Sequence, residues 1–132
     1  MGVVKGNEFI LLVDDEEMII EVGQAMLEAL GYRVTTAIGG EAALTLLQDS
    51  EVRVDLVILD LIMPGMDGGK VYDAVRQLRP SLPVILSSGY AINGHAEDIM
   101  NRGCNGFIQK PFNIAELSQK IRNILDTMVE EN

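Results

Sequence analysis

Asp14 and Asp15 follow the apolar run 9–13, Asp60 follows the run 54–59, and Lys110 follows Phe107-Ile-Gln109. Each of these ionisable positions closes a short β-type segment. If the segments are parallel strands of one open sheet, their carboxyl ends face a single crevice, the place where such sheets bind ligands. Carboxylates held roughly 4 Å apart repel by about 4 kcal/mol per pair even at an effective dielectric near 20. They must protonate, spread or bind a cation. A hard divalent ion suits them: magnesium, with manganese as a substitute, takes oxygen ligands, commonly one or two carboxylates plus a substrate phosphate. A carboxylate beside such a phosphate is able to act as nucleophile and form an aspartyl phosphate. Asp60 is the best placed for that role.

The elements that must hold these groups show as two alternating periods. Short β-branched or apolar runs at 9–13, 33–37, 54–59, 83–87 and 106–109 are separated by segments of helical spacing. The first, third and fourth are almost continuously apolar, as expected of central parallel strands covered on both faces. The more polar run 33–37 is expected at an edge. In the first helix Ile19, Val22, Met26 and Leu30 mark the expected core face, and Gly31 is its stop. That assignment leaves Ile20 as surplus apolar surface beside the acidic residues, a place for a donor helix to dock. Further helices are expected at 41–47, at 70–78, near 96–102, and as a final helix whose stripe is Ile114, Leu117, Ile121, Ile124, Leu125 and Met128, with Asn113 as N-cap. Strand and helix in such regular alternation imply right-handed crossovers and a doubly wound α/β fold, a five-stranded parallel sheet with helices on both faces. A strand order 2-1-3-4-5 would make strands one and three neighbours at the switch point, gathering Asp14, Asp15 and Asp60.

The bulk properties bound the function. A chain of 132 residues fits one domain, read here as 1–132 with its core at about 8–127. No apolar run reaches the roughly 20 residues of a membrane span. The polar start does not resemble a signal peptide, so a cytoplasmic location is expected. A net charge of −10 would repel phosphate backbones and anionic lipids, which argues against direct nucleic-acid binding and membrane insertion. Cys104 is the only cysteine and is expected to be a buried, inert thiol.

Taken in order, Asp14-Asp15, Asp60-Leu-Ile-Met-Pro-Gly-Met-Asp-Gly68, Ser87-Ser-Gly89 and Lys110-Pro-Phe112 resemble the receiver domain of two-component response regulators. The resemblance covers nearly the whole chain, and it supplies the strand order. It implies that Asp60 accepts a phosphoryl group from a phosphohistidine on a histidine kinase or histidine phosphotransfer domain. It further implies magnesium on Asp15, Asp60 and the Ile62 backbone carbonyl, with Asp14 assisting. Lys110 and the Ser88 hydroxyl would contact the phosphoryl oxygens. Ser88 and Phe107 would form a switch that reshapes the face of the fourth helix, fifth strand and fifth helix, and Pro111 would follow a cis peptide. Output through an unknown partner or a phosphorylation-dependent dimer would follow. In the family, the residues two after the phosphoacceptor and two after the Ser/Thr influence attack by water; here they are Ile62 and Tyr90. The opening Asp14-Asp-Glu-Glu-Met18 and the segment 106–111 look similar to receivers of hybrid sensor histidine kinases.

Simpler readings stand beside these. Asp15 and the glutamates after it could merely complement a helix dipole, Ser88 could bond local backbone, and Phe107 could be ordinary core packing. His95, alone in a Gly/Asn-rich stretch, is read as a surface residue with no role. A flavodoxin-like flavin binder would need a Ser/Thr/Gly phosphate loop where Asp14-Asp-Glu-Glu17 stands. A haloacid-dehalogenase-type phosphatase would carry its nucleophile after the first strand, with a second Asp two residues on. A degenerate receiver serving only as an interaction module is the remaining alternative, opposed by the complete acidic set with Ser88 and Lys110.

Overall fold

The computed structural model describes residues 3–131. In chain order the elements are β1 (Phe9–Asp14), α1 (Glu17–Ala29), β2 (Arg33–Ile38), α2 (Gly40–Gln48), β3 (Leu56–Asp60), β4 (Ile62–Met63), β5 (Met66–Asp67), α3 (Gly68–Leu78), β6 (Val84–Ser88), α4 (Gly94–Asn101), β7 (Gly106–Gln109) and α5 (Ile114–Glu131). Five strands form one parallel sheet in the order β2-β1-β3-β6-β7. This is the order that places β1 beside β3 at the switch point, and the polar β2 lies at an edge as expected.

Alternation along the strands sends side chains into two separate cores. Leu11, Val13, Val57, Leu59, Val84 and Leu86 pack under α2, α3 and α4, against Ala43, Leu47, Val71, Tyr72, Val75 and Ile99. Ile10, Leu12, Leu56, Ile58, Ile85 and Ile108 pack under α1 and α5, against Ile20, Leu27, Leu117, Ile121 and Leu125. Central strands buried on both faces explain their unbroken apolar sequences.

One helix face differs from the expectation. The residues of α1 that meet the sheet are Ile20, Gly23 and Leu27, followed by Leu30, whereas Val22 is half exposed and Ile19 and Met26 sit on the flank. Gly23 explains the shift: a Cβ there would stand 2.8 Å from Leu12 Cδ2, so the core face runs through a residue with no side chain to count. Ile20 is therefore core, and the surplus apolar surface is Met18, Ile19 and Val22. At the helix end, Gly31 adopts φ 98°, and N–H groups of Gly31 and Tyr32 bond the carbonyls of Glu28 and Leu27 in a Schellman stop. Asn113 caps α5 by accepting the Glu116 N–H at 2.7 Å.

A short antiparallel hairpin, β4–β5, was not anticipated. Its turn, Met63-Pro64-Gly65-Met66, has Gly65 at φ 82°, with the proline ahead of it, the sequence signature of a type II turn. Gly68 then passes so close to the Leu61 carbonyl that a Cβ would lie 2.1 Å from its oxygen. The hairpin follows directly on the end of β3.

Candidate functional site

The strand register brings the acidic residues together. Val13 pairs with Leu59, so Asp14 and Asp60 end adjacent strands on the same face, and both are buried. Asp15 lies one residue further, half-buried at the start of the turn into α1. Carboxylate oxygens of Asp14, Asp15 and Asp60 all lie within 4.8 Å of one another. Lys110, just beyond β7, reaches across β6 and β3 to place Nζ 3.0 Å from Asp14 Oδ2 and 3.3 Å from Asp60 Oδ1. The Lys110–Pro111 peptide is cis.

Local backbone fixes the carboxylates further. Asp14 Oδ1 accepts the Glu16 N–H at 3.0 Å, and Asp60 Oδ1 accepts the Ile62 N–H at 3.4 Å. Burial pushes the Asp60 carboxyl up to about 7, and the negative charge of Asp14 adds to the shift; Lys110 opposes both, while a hydrogen bond shared with Asp15 needs the protonated form. Burial works against the charge of Lys110. Its bonds to Asp14 and the field of Asp60 outweigh that effect and hold the ammonium above its ordinary range.

Above this cluster opens a cleft of about 800 Å³, lined by Asp15, Asp60, Ile62, Tyr90, Lys110 and Pro111 among others. Ile62 and Tyr90 stand exposed on either side. Ser88, two residues beyond Leu86, shares that residue's face of the sheet and is buried; its Oγ accepts the Tyr90 N–H at 3.1 Å. Its backbone carbonyl accepts the Lys110 N–H at 2.7 Å. Phe107, paired in register with Leu86, packs against the same core and is half-buried. The acids and Lys110 thus meet at one point, while Ser88 and Phe107 lie behind it, toward α4. Cys104 is buried, its thiol donating to the Val84 carbonyl at 3.2 Å, and burial raises its pKa.

The donor set fits a hard divalent cation. Carboxylate oxygens are the ligands magnesium takes, at about 2.1 Å, so two ligands of one ion are at most about 4.2 Å apart. The observed cluster needs only a slight contraction, and one or two direct carboxylates suffice. Three acids beside a lysine at the mouth of a parallel sheet define a class: doubly wound α/β proteins with a cation-dependent site at the topological switch point. Residues 10–122 match the response regulator receiver domain, and the chain belongs to that family, the receivers of two-component signalling. It is 32% identical over 123 residues to the sensor kinase CckA of Brucella abortus (strain 2308), covering 93% of this chain and 13% of that protein. A CheY-like receiver structure from Methanospirillum hungatei JF-1 superposes with a TM-score of 0.88 at 29% identity, covering 96% of this chain and all of that one. TrrA of Thermotoga maritima, solved in complex with Mg(2+)-BeF, superposes with a TM-score of 0.79 at 34% identity, covering 89% and 99%. Among the described residues, no helix is long and apolar enough to cross a membrane.

Two features of the site have no strong signature in the sequence. The β4–β5 hairpin lines the cleft through Ile62, Met63 and Pro64, and the Pro64-Gly65 pair was its available signal. The contact between His95 and Asp67, 3.2 Å from Nε2 to Oδ1, joins residues 28 positions apart with no motif to link them.

Proposed function

We propose that this chain is a phosphoacceptor in a cytoplasmic phosphorelay, taking a phosphoryl group onto Asp60 from a phosphohistidine on a histidine kinase or histidine phosphotransfer domain. The observation that carries the reading is the position of Asp60: a carboxylate at the floor of an open cleft, held by Lys110 and flanked by two further acids. The family is one of phosphoacceptors with no turnover on a metabolite.

In the reaction, an Asp60 oxygen attacks phosphorus as the phosphorus–nitrogen bond breaks. The departing imidazole keeps that electron pair and ends neutral because its other ring nitrogen carries a proton in the phosphohistidine. Asp15, Asp60 and the Ile62 carbonyl would hold magnesium, with Asp14 in support; bound there, it neutralises carboxylate and phosphoryl charge. Lys110 supplies the second positive charge, already in place and needing little reorganisation. Because burial and Asp14 favour protonated Asp60, a cation held by these acids would favour the carboxylate form that the attack needs. TrrA, similar over most of its length and solved in complex with Mg(2+)-BeF, supports this choice of metal.

The switch runs through Ser88. Its hydroxyl now accepts from Tyr90 N–H; turning to the phosphoryl oxygens breaks that bond and frees the 89–93 segment. Phe107, packed behind Ser88, then fills the vacated space. The face formed by α4, β7 and α5 changes, a population shift biased by phosphoryl contacts.

The test is mass spectrometry after incubation with acetyl phosphate and magnesium. One added phosphoryl mass is expected on wild type and none on Asp60→Asn. An unmodified wild type would leave the degenerate, interaction-only receiver as the better reading.

A further inference from the structure

Asp67 occupies the N-cap position of α3, the place where an aspartate ordinarily accepts a backbone N–H from the first turn. It makes no such bond. Instead its Oδ1 lies 3.2 Å from His95 Nε2, on the first turn of α4. The helix it leaves uncapped begins Gly68-Gly69, two poor helix formers, so the absent cap is costly there. Gly69 also makes the arrangement possible. A Cβ at Gly69 would stand 3.2 Å from Asp67 Oδ2, 3.4 Å from His95 Nε2 and 3.0 Å from Arg102 Nη2.

Asp67 thus has two competing partners: the free N–H groups of α3 below it, and the imidazole of α4 beside it. The surrounding charges leave the imidazole as the variable one. From α3 Asp73, and from α4 itself Asp98 and Arg102, stand beside the pair. Arg102 is engaged by Asp73 and by Asp98 at 3.2 Å. Imidazole is the side chain that ordinarily changes charge between pH 5 and 8.

We propose that Asp67 and His95 form a proton-controlled latch between the β4–β5 hairpin and α4, closed when the imidazole is protonated and loosened when it is neutral, with Asp67 then free to cap α3. The hairpin starts two residues after Asp60, and α4 follows the 89–93 segment that Ser88 anchors, so the latch spans the two sides of the switch. It is a property of the unphosphorylated protein and stands whether or not Asp60 accepts phosphate.

His95 is the only histidine, so its imidazole proton resonance can be followed against pH by NMR without assignment. In metal-free, unphosphorylated protein, Asp67→Asn is expected to lower the proton affinity of His95 about two- to five-fold, the range of a partly exposed ion pair. In an Asp60→Asn background, which removes the pH dependence of that buried carboxyl, amide exchange across α4, corrected for intrinsic rates, is expected to be about two- to five-fold slower at pH 5.5 than at pH 7.5. That difference should vanish when Asp67→Asn or His95→Gln is added to the same background. Identical imidazole midpoints in wild type and Asp67→Asn overturn the latch. So does an exchange difference that survives in His95→Gln, a surface variant that serves alone if Asp67→Asn loses its native spectrum.

Discussion

Lys110 Nζ lies 3.3 Å from Asp60 Oδ1 and is closer still to Asp14, yet the Asp60 carboxyl is raised to about 7 from a usual 3.8. Burial and Asp14 together outweigh the lysine. One positive charge cannot neutralise two buried carboxylates, so the local charge favours a further cation.

The first prediction is therefore a pH dependence of metal-free stability. Below pH 3.8 both folded and unfolded chains hold the Asp60 proton. Between 3.8 and about 7 the unfolded chain releases a proton that the folded chain keeps. Stability from this group falls as pH rises through that window. In metal-free protein at pH 7.5, Asp60→Asn should be more stable than wild type by roughly 1–3 kcal/mol, and the gap should close by pH 4. Magnesium should raise the wild-type Tm at pH 7.5 and do so less as pH falls. Urea melts of both proteins at pH 4, 6 and 7.5 check this; a constant gap across the series refutes it.

Donor docking gives the second. Met18, Ile19 and Val22 present an apolar flank on α1, and a smaller groove continues from Ile19, Val22 and Met26 to Pro111 and Phe112. Val22→Glu should slow phosphotransfer from the cognate donor about ten-fold or more while leaving labelling by acetyl phosphate unchanged. Ile20→Glu, by contrast, should cost more than about 2 kcal/mol of stability by burying a charge. Measuring both donors with both variants separates docking from folding. Equal loss with both donors in Val22→Glu removes the docking role.

The error at Ile20 shows where reading a sequence stops. Strands buried on both faces write themselves as unbroken apolar runs, so β1, β3 and β6 were plain, and Asp14 and Asp60 at the ends of the first two with them, whereas Ser88 lay one residue beyond the run at 83–87 and came from the family resemblance. The face of α1 was off by one position because Gly23 carries part of the contact, and hydrophobic spacing cannot register a glycine. The hairpin after Asp60 was too short for periodicity, although Pro64-Gly65 marked its turn. Asp67 and His95 show a different limit. Each has an ordinary local reading, a cap and a surface residue, and only the packing of α4 beside α3 makes them partners.

The third prediction concerns the lifetime of the phosphorylated form. Ile62 and Tyr90, both more than half exposed, flank the cleft over Asp60. Ile62 has no group to orient an attacking water, and the bulk of Tyr90 narrows its approach. The aspartyl phosphate should persist for minutes or longer after the donor is removed, and Ile62→Asn should shorten that lifetime several-fold. Phosphate loss followed on phosphate-affinity gels reads it directly, and a wild-type half-life of seconds is the contrary result.

The last prediction lies away from the site. Arg122 of α5 bonds both oxygens of Glu8, at 2.7 and 2.9 Å, and reaches the Tyr32 hydroxyl at 3.3 Å and Asp126. This ties the segment before β1 to the start of β2 and to α5. The bond to Arg122 holds the Glu8 carboxyl below its usual 4.5, against the opposing effect of burial. For a group with a depressed folded pKa, the stabilisation is present above the unfolded value and is lost as pH falls through the folded one. Glu8→Gln should lower stability at pH 7 by about 1 kcal/mol, the range of a partly buried, two-pronged ion pair. By pH 3.5 most of that difference should be gone. The pair sits at the opposite end of the sheet from Asp60, so acetyl phosphate labelling of Glu8→Gln at pH 7 should match wild type. Denaturant melts at the two pH values test the linkage, and a pH-independent loss would assign Glu8 a packing role with no electrostatic part.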